Sequence, residues 1–265
     1  MKNLDRDKLL EKFDREVEKL GIRLKEADEF KVMENVFDDV TLLALYKLVN
    51  KKHISLIGGS ISTGKEANVF YGEDWEGKPV AIKIYRIQSA SFKTMSEYIA
   101  GDPRFSSVRK SRKEIIFAWT KKEYSNLMRA HDAGIRCPKP LHFDRNILIM
   151  ELMGEGETPY PQLRAVDHDE IDMQAVYDEV MESIDTLFNK ANLVHADLSE
   201  FNILFDGEHP VIIDMGQAVT PDHPKAIKFL VRDIRNINRF FKRFCNIKDE
   251  EEFFKKVVGE HRMTP

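Results

Sequence analysis

Asp197 and Asn202 stand five residues apart in Leu193-Val194-His195-Ala196-Asp197-Leu198-Ser199-Glu200-Phe201-Asn202. Twelve residues later, Ile212-Ile213-Asp214-Met215-Gly216 carries an Asp out of an apolar run into a glycine. A carboxylate, an amide and a second carboxylate in this order match the few parts that phosphoryl transfer requires. One group must orient or deprotonate the nucleophile, and oxygen ligands must hold a divalent metal against the phosphates. Asp197 suits the first role, and Asn202 with Asp214 suits the second. Taken singly, each has an ordinary reading, Asp197 as a helix cap and Asp214 as a turn residue. Their order and spacing together favour the chemical one.

Two further segments bear on the same chemistry. Gly59-Ser60-Ile61-Ser62-Thr63-Gly64-Lys65-Glu66 nearly satisfies the phosphate-loop pattern, in which a Ser or Thr after the lysine holds magnesium. Glu66 occupies that place. Ala67-Asn68-Val69-Phe70-Tyr71 also reads as a strand where the pattern needs a helix, so the P-loop reading fails. What remains is a strand, a glycine turn and a strand, either laid over phosphates or forming a plain hairpin. Lys83 ends the apolar strand Val80-Ala81-Ile82 and needs a counter-charge. Glu123 on the following helix is the first candidate and Glu114 the second, and a strand lysine can also snorkel to solvent.

The elements that must position these groups follow from periodicity. Leu10, Phe13, Val17 and Leu20 recur at helical spacing before Gly21, and a second helix is predicted over Asp39–Lys51. The period then changes. Asn68–Tyr71 and Val80–Tyr85 read as paired strands across Gly72–Pro79, and Ile147–Met150 as a buried strand. Residues 86–111, rich in Ser and basic residues around Gly101-Asp102-Pro103, predict a mobile loop. Helices are predicted from Arg112 to Ala130, Met173 to Ala191 and Lys225 to Phe244. A short hairpin, Ile203–Phe205 with Val211–Ile213, turns at Asp206-Gly207. Strands first and helices later predict an α+β chain of two lobes. The divisions are a helical extension over 1–52, a sheet lobe over 53–150 and a mostly helical lobe over 151–265.

Composition narrows the classes of function. The 265 residues are 42% hydrophobic and 32% charged, a globular balance rather than a disordered one. The longest apolar run, Val40 to Tyr46, is far short of the roughly 20 residues a bilayer needs. No secretory signal is visible at the N-terminus, and Cys137 and Cys245 form neither a disulfide framework nor a metal motif. A reduced, cytoplasmic protein without membrane or DNA partners is expected. The net charge of −4 conceals local extremes: +5 over 86–113, −10 over 151–185 and +6 over 225–245. In the last segment Arg232, Arg235, Arg239 and Lys242 share a helix face beside the apolar stripe Leu230, Ile234, Ile237, Phe241 and Phe244. That face is either solvated or set against phosphates.

Val80–Lys83, His195–Asn202 and Asp214–Gly216 resemble the protein-kinase signature set, with His-Ala-Asp for His-Arg-Asp and Asp-Met-Gly for Asp-Phe-Gly. Ser62-Thr63-Gly64-Lys65-Glu66-Ala67, taken with the His195–Asn202 run, resembles more closely the RIO family of atypical kinases and its Rio-one subfamily. The compact chain, without long charged tails, is similar to archaeal members. The resemblance implies a truncated two-lobed kinase-like fold and catalytic roles for Lys83, Asp197 and Asp214. It implies Mg²⁺, with Mn²⁺ as a second candidate, on Asn202 and Asp214. It implies ATP contacts from Ser62, Thr63, Gly64, Lys65, Glu66, Ala67, Val69, Ala81, Lys83 and Glu123. Met150, Glu151 and Met153 would form the adenine hinge, though the two methionines also suit a plain core. The missing Arg of His-Arg-Asp and the absence of an Ala-Pro-Glu segment imply no phosphorylated activation loop and no peptide-docking platform. Serine/threonine kinase or ATPase activity on small ribosomal subunit precursors, through protein or rRNA, is therefore expected. It would come with autophosphorylation on a serine of 86–111, and turnover could pass through a phosphorylated Asp214. A scaffold without turnover is the alternative.

Overall fold

The computed structural model describes residues 23–24, 38–88, 92–105, 107–108 and 111–259. The helix predicted over Leu10–Leu20, and Ser89, Ser91 and Ser106, lie outside them. Strands β1 (Arg23–Leu24), β2 (Leu56–Thr63), β3 (Ala67–Glu73), β4 (Pro79–Tyr85), β5 (Pro140–Asp144) and β6 (Ile147–Glu151) form one sheet in the order β1-β2-β3-β4-β6-β5. Its pairings are antiparallel except β1 with β2. Helix α1 (Asp39–Asn50) begins at Asp38, whose carboxylate accepts from the Thr41 N–H at 2.9 Å.

The period of two in β4 sorts the sheet into two faces. Val80, Ile82 and Ile84 join Phe70, Ile147 and Ile149 beneath Ala44, Leu45, Leu48 and Val49 of α1. Residues 39–50 therefore belong to the sheet's own core and not to a separate extension. Ala81, Lys83 and Tyr85 point to the opposite face. There the register sets Val69 and Leu148 beside Lys83, and Met150 beside Ala81. This is why an otherwise apolar strand tolerates a lysine: it lies on the face turned towards the helical layer.

Residues 86–111 depart from the predicted loop. Phe92–Ala100 form helix α2, and Pro103–Phe105 a 3₁₀ turn. Met95, Tyr98, Ile99 and Phe105 are buried in the larger core. The apolar residues Phe92, Met95 and Ile99 recur at helical spacing, and that period outweighs the high content of Ser and basic residues around them.

Helix α3 (Arg112–Asp132) is capped by Ser111. The helical layer adds α4 (Met173–Asn189), α5 (Ala226–Phe241) and α6 (Glu250–Val258). Two small hairpins accompany them, β7 (Gly154–Glu155) with β8 (Thr158–Pro159), and β9 (Ile203–Phe205) with β10 (Pro210–Ile212). No described helix is long and apolar enough to cross a membrane.

Candidate active site

The cleft between sheet and helical layer holds a cavity of about 670 Å³. Its walls include Ser62, Gly64, Lys65, Glu66, Ala67 and Val69 from the β2–β3 hairpin, and Ala81 and Lys83 from β4. Met150, Glu151 and Met153 line it at the end of β6, and Asp197, Asn202 and Asp214 line the helical side. Residues spread over more than 150 positions of sequence thus meet in one place. Strand–turn–strand geometry at Thr63–Ala67 agrees with the rejection of a P-loop, and the Gly64 N–H donates to the Ala67 carbonyl at 2.9 Å.

Two expected residues are not in the wall. Thr63 ends β2 at the exposed hairpin tip. Glu123 lies behind Lys83, 1% exposed, and reaches the cavity only through Lys83 and Tyr85, which line it. Lys83 Nζ donates to Glu123 Oε1 at 2.8 Å and to Asp214 Oδ1 at 3.0 Å. Glu114, the other candidate partner, stays exposed in the first turn of α3. Burial works to lower the Lys83 ammonium pKa, yet the charges of Asp214 and Glu123 outweigh it and hold it above its ordinary value. One ammonium shared by two carboxylates cannot favour both equally. Burial pushes Glu123 up to about 7, where the Tyr85 hydroxyl also donates to it. Asp214 is shifted down: burial opposes its charge, but Lys83 prevails.

The catalytic and metal segments are tied together. The Ile213 N–H donates to the Asn202 carbonyl at 3.0 Å, and His195 Nε2 lies 3.0 Å from the Ile213 carbonyl. Asn202 Nδ2 donates to the Asp197 carbonyl at 2.9 Å, which turns the amide oxygen away from that bond. Asp197 Oδ2 accepts from Gln217 Nε2 at 2.9 Å. Burial, with the Asp214 charge added, raises the Asp197 carboxyl to about 6.

The donor set fits a magnesium ion. Asn202 and Asp214 supply hard oxygens, and the Asp214 side chain is 49% exposed to the cleft. Among the described residues no group of three or more His, Cys, Asp or Glu could hold a metal. A small protein ligand set of this kind is what magnesium uses when phosphates and water complete its shell.

A family model for the RIO domain matches residues 68–253. The chain belongs to the RIO family of atypical serine/threonine protein kinases. The RIO-type serine/threonine-protein kinase Rio1 of Haloferax volcanii is 43% identical over 254 residues, covering 96% of this chain and 87% of that protein. Rio1 of Methanocaldococcus jannaschii is 40% identical, over 93% and 84%. These matches place the chain in the Rio-one subfamily. The Rio2 kinase of Chaetomium thermophilum superposes with a TM-score of 0.63 at 25% identity, over 83% of this chain and 68% of that one. The truncated two-lobed kinase-like α+β fold is thereby shown.

Within this RIO domain the support of the catalytic loop was not legible as a motif. Asp233 of α5, 1% exposed, accepts from the Ala196 N–H at 2.7 Å and the Leu198 N–H at 3.0 Å, and Arg232 donates to the Ala196 carbonyl. Arg232 keeps an exposed side chain but spends a guanidinium N–H on the loop, so it is not a wholly free member of the basic face. The signal available was an Asp within the apolar stripe Leu230, Ile234 and Ile237, a position that buries it. Asp233→Ala leaves two buried amides unpaired, at about 1–3 kcal/mol each. The expected result is a lower Tm with reduced turnover, measured by thermal unfolding beside a kinase assay. An unchanged Tm would show that the loop does not depend on this carboxylate.

Proposed function

We propose that this RIO kinase binds ATP with Mg²⁺ in the cleft and transfers the γ-phosphate to serine or threonine, its own chain included. The observation that carries the reading is the Lys83 ammonium held between Glu123 and Asp214 in a cavity that Asp197 and Asn202 also line. Lys83 would hold phosphate oxygens, Asn202 and Asp214 the metal, and Asp197 would orient or deprotonate the accepting hydroxyl. Bound magnesium supplies charge neutralisation for the phosphates. The Glu151 N–H is taken by the Lys139 carbonyl and the Met153 carbonyl by the Tyr160 N–H. Adenine contacts from these hinge residues are thereby narrowed to the Glu151 carbonyl and the Met153 N–H.

The physiological setting we assign is the cytoplasm, on a small ribosomal subunit precursor. Arg239 on α5 and Lys242 just past its end remain exposed to meet phosphates, Arg232 being tied to the Ala196 carbonyl, while Arg235 is shared with Glu250 at 3.2 Å. A second reading, an ATPase switch on that particle, draws support from the described chain after Asp214. It offers α5 and α6 but no broad helical platform for a peptide.

Incubation with γ-labelled ATP and Mg²⁺, alone and with small-subunit precursors, separates the readings by released phosphate against labelled protein. Labelled chain is expected, and mass spectrometry should place phosphate within 86–111, where Thr94 and Ser107 are exposed hydroxyls. Released phosphate without labelled protein would favour the switch. Neither product from a folded preparation would leave a scaffold.

A further inference from the structure

The Asp214 segment has its own anchor, on the opposite side from the cleft. Asp214 and Ala196 both carry left-handed backbone, with φ of 62° and 66°, a conformation that costs a non-glycine residue about 1–3 kcal/mol. Ala196 is held by Asp233. Asp214 is followed by three carbonyls that all receive donors from α3. Asn126 Nδ2 donates to Met215 O at 2.9 Å and to Ala218 O at 2.8 Å. Lys122 Nζ donates to Gly216 O at 2.8 Å and also to Ala218 O.

Lys122 is 0% exposed, and no carboxylate lies within ion-pair distance of it among the described residues. Its other neighbours are the Trp119 and Tyr98 rings, 5.2 and 5.9 Å from Nζ. Burying an amine on carbonyls and rings is costly where an apolar side chain would pack, and that burial pushes the Lys122 pKa down to about 7. The cost is met by fixing a turn that regular secondary structure does not fix. The same packing explains Gly216, since a Cβ there would stand 2.9 Å from Trp119 Nε1.

The anchor extends to the insert between β4 and α3. Arg104 donates to Asn126 Oδ1 at 2.9 Å while its guanidinium pairs with the buried Asp102 at 2.6 Å. Asn126 therefore spends its oxygen on the insert and its amide hydrogens on the metal segment. A single side chain joins the two.

We propose that Lys122 and Asn126 are positioning residues for phosphoryl transfer, clamping the Asp214 segment onto α3, and that Arg104 makes the insert part of the clamp. The proposal rests on the phosphotransfer reading of the cleft and adds to it a route by which the insert governs the metal ligand. A carboxyl on α5 accepts from the N–H groups of the catalytic loop, and an amine and an amide on α3 donate to the carbonyls of the metal loop. Modification or displacement of the insert then acts on turnover through Arg104 and Asn126, without touching nucleotide.

The test uses the full chain with Asn126→Leu, Lys122→Met and Arg104→Met. Amide hydrogen exchange of residues 215–218 is compared with that of Ala196 and Leu198, beside the Mg²⁺ concentration for half-maximal turnover. In Asn126→Leu, exchange at 215–218 is expected to rise about tenfold while Ala196 and Leu198 keep the native rate. Half-saturating Mg²⁺ should rise about tenfold, with ATP affinity in EDTA unchanged, and Arg104→Met should move both in the same direction by less. Equal acceleration at both loops would make Lys122 and Asn126 general packing residues and overturn the proposal, as would native exchange in a folded Asn126→Leu. If Lys122→Met does not fold, the other two variants decide. A wild-type chain without Mg²⁺-dependent turnover would fault the phosphotransfer reading instead, and the exchange comparison would still decide the clamp.

Discussion

Asp214→Ala is expected to abolish Mg²⁺-dependent turnover, a loss of about 10²–10³-fold or more. Asp214 is the one carboxylate in the metal ligand set assigned here, so its removal leaves the phosphate charges with an amide oxygen and Lys83 alone. Lys83 keeps Glu123 as a partner, so the cavity does not lose its cation. The half-exposed side chain makes a folding defect from lost packing small. The left-handed backbone at this position is a separate concern, because Ala adopts it less readily than Asp does. Asp214→Asn controls for that, keeping the shape and removing the charge. Both variants should match the wild type in EDTA, measured by release of γ-phosphate across a Mg²⁺ titration. Undiminished Mg²⁺-dependent turnover in either would overturn the metal assignment.

How far the sequence reached depended on whether a residue's purpose is local. The β3–β4 pairing, the hairpin at Asp206-Gly207 and the helix from Arg112 follow from period and glycine turns. They occur within one or two residues of where they were expected. Lys83 and Glu123 could be paired in advance because a buried cation in a strand demands a carboxylate, and the helix that follows offers few. Lys122 could not be assigned in the same way. Beside Lys121 it looks like half of a solvated pair, and only the packing of α3 against residues 215–218 shows that it points inward. The insert failed for the opposite reason. Its bulk composition masked four buried apolar residues that carry its helix and turn into the core. Arg232 likewise belonged to a helical stripe of basic residues whose separate fates no spacing rule distinguishes.

These misses share a physical origin. The groups that touch substrate are recognisable because chemistry restricts their type and order. Asp233, Arg232, Lys122 and Asn126 act on backbone N–H and carbonyl groups, which every residue presents, so nothing in the sequence marks their partners. What marks Asp233, Lys122 and Asn126 in the structure is burial of a polar side chain against a turn whose backbone is strained, while Arg232 stays exposed. Ala196 and Asp214 are both such turns, and each is met from outside the cleft by a polar clamp, acceptors for the N–H groups of one and donors for the carbonyls of the other.

Asp197→Ala is expected to remove most phosphoryl transfer while leaving ATP affinity within about twofold. Losses in kcat of about 10²–10⁴-fold are usual for a positioned acid or base. The structure gives a reason for the split. Asn202 is held through the Asp197 backbone carbonyl at 2.9 Å, a bond the substitution leaves in place, whereas its approach to the carboxylate is longer, 3.5 Å. The metal ligand therefore keeps its position when the carboxylate goes. Lys83 and the hinge residues bond to neither oxygen of Asp197, so the nucleotide contacts are untouched. Gln217 loses an acceptor at the edge of the cavity, where water can replace it. Ala196 and Leu198 stay fixed by Asp233, which keeps the loop from collapsing into the space. Steady-state kcat and KM beside calorimetric ATP affinity make the measurement. A fall in affinity in step with kcat would assign Asp197 to holding the loop together, and the group that activates the hydroxyl would then have to be sought elsewhere in the cleft.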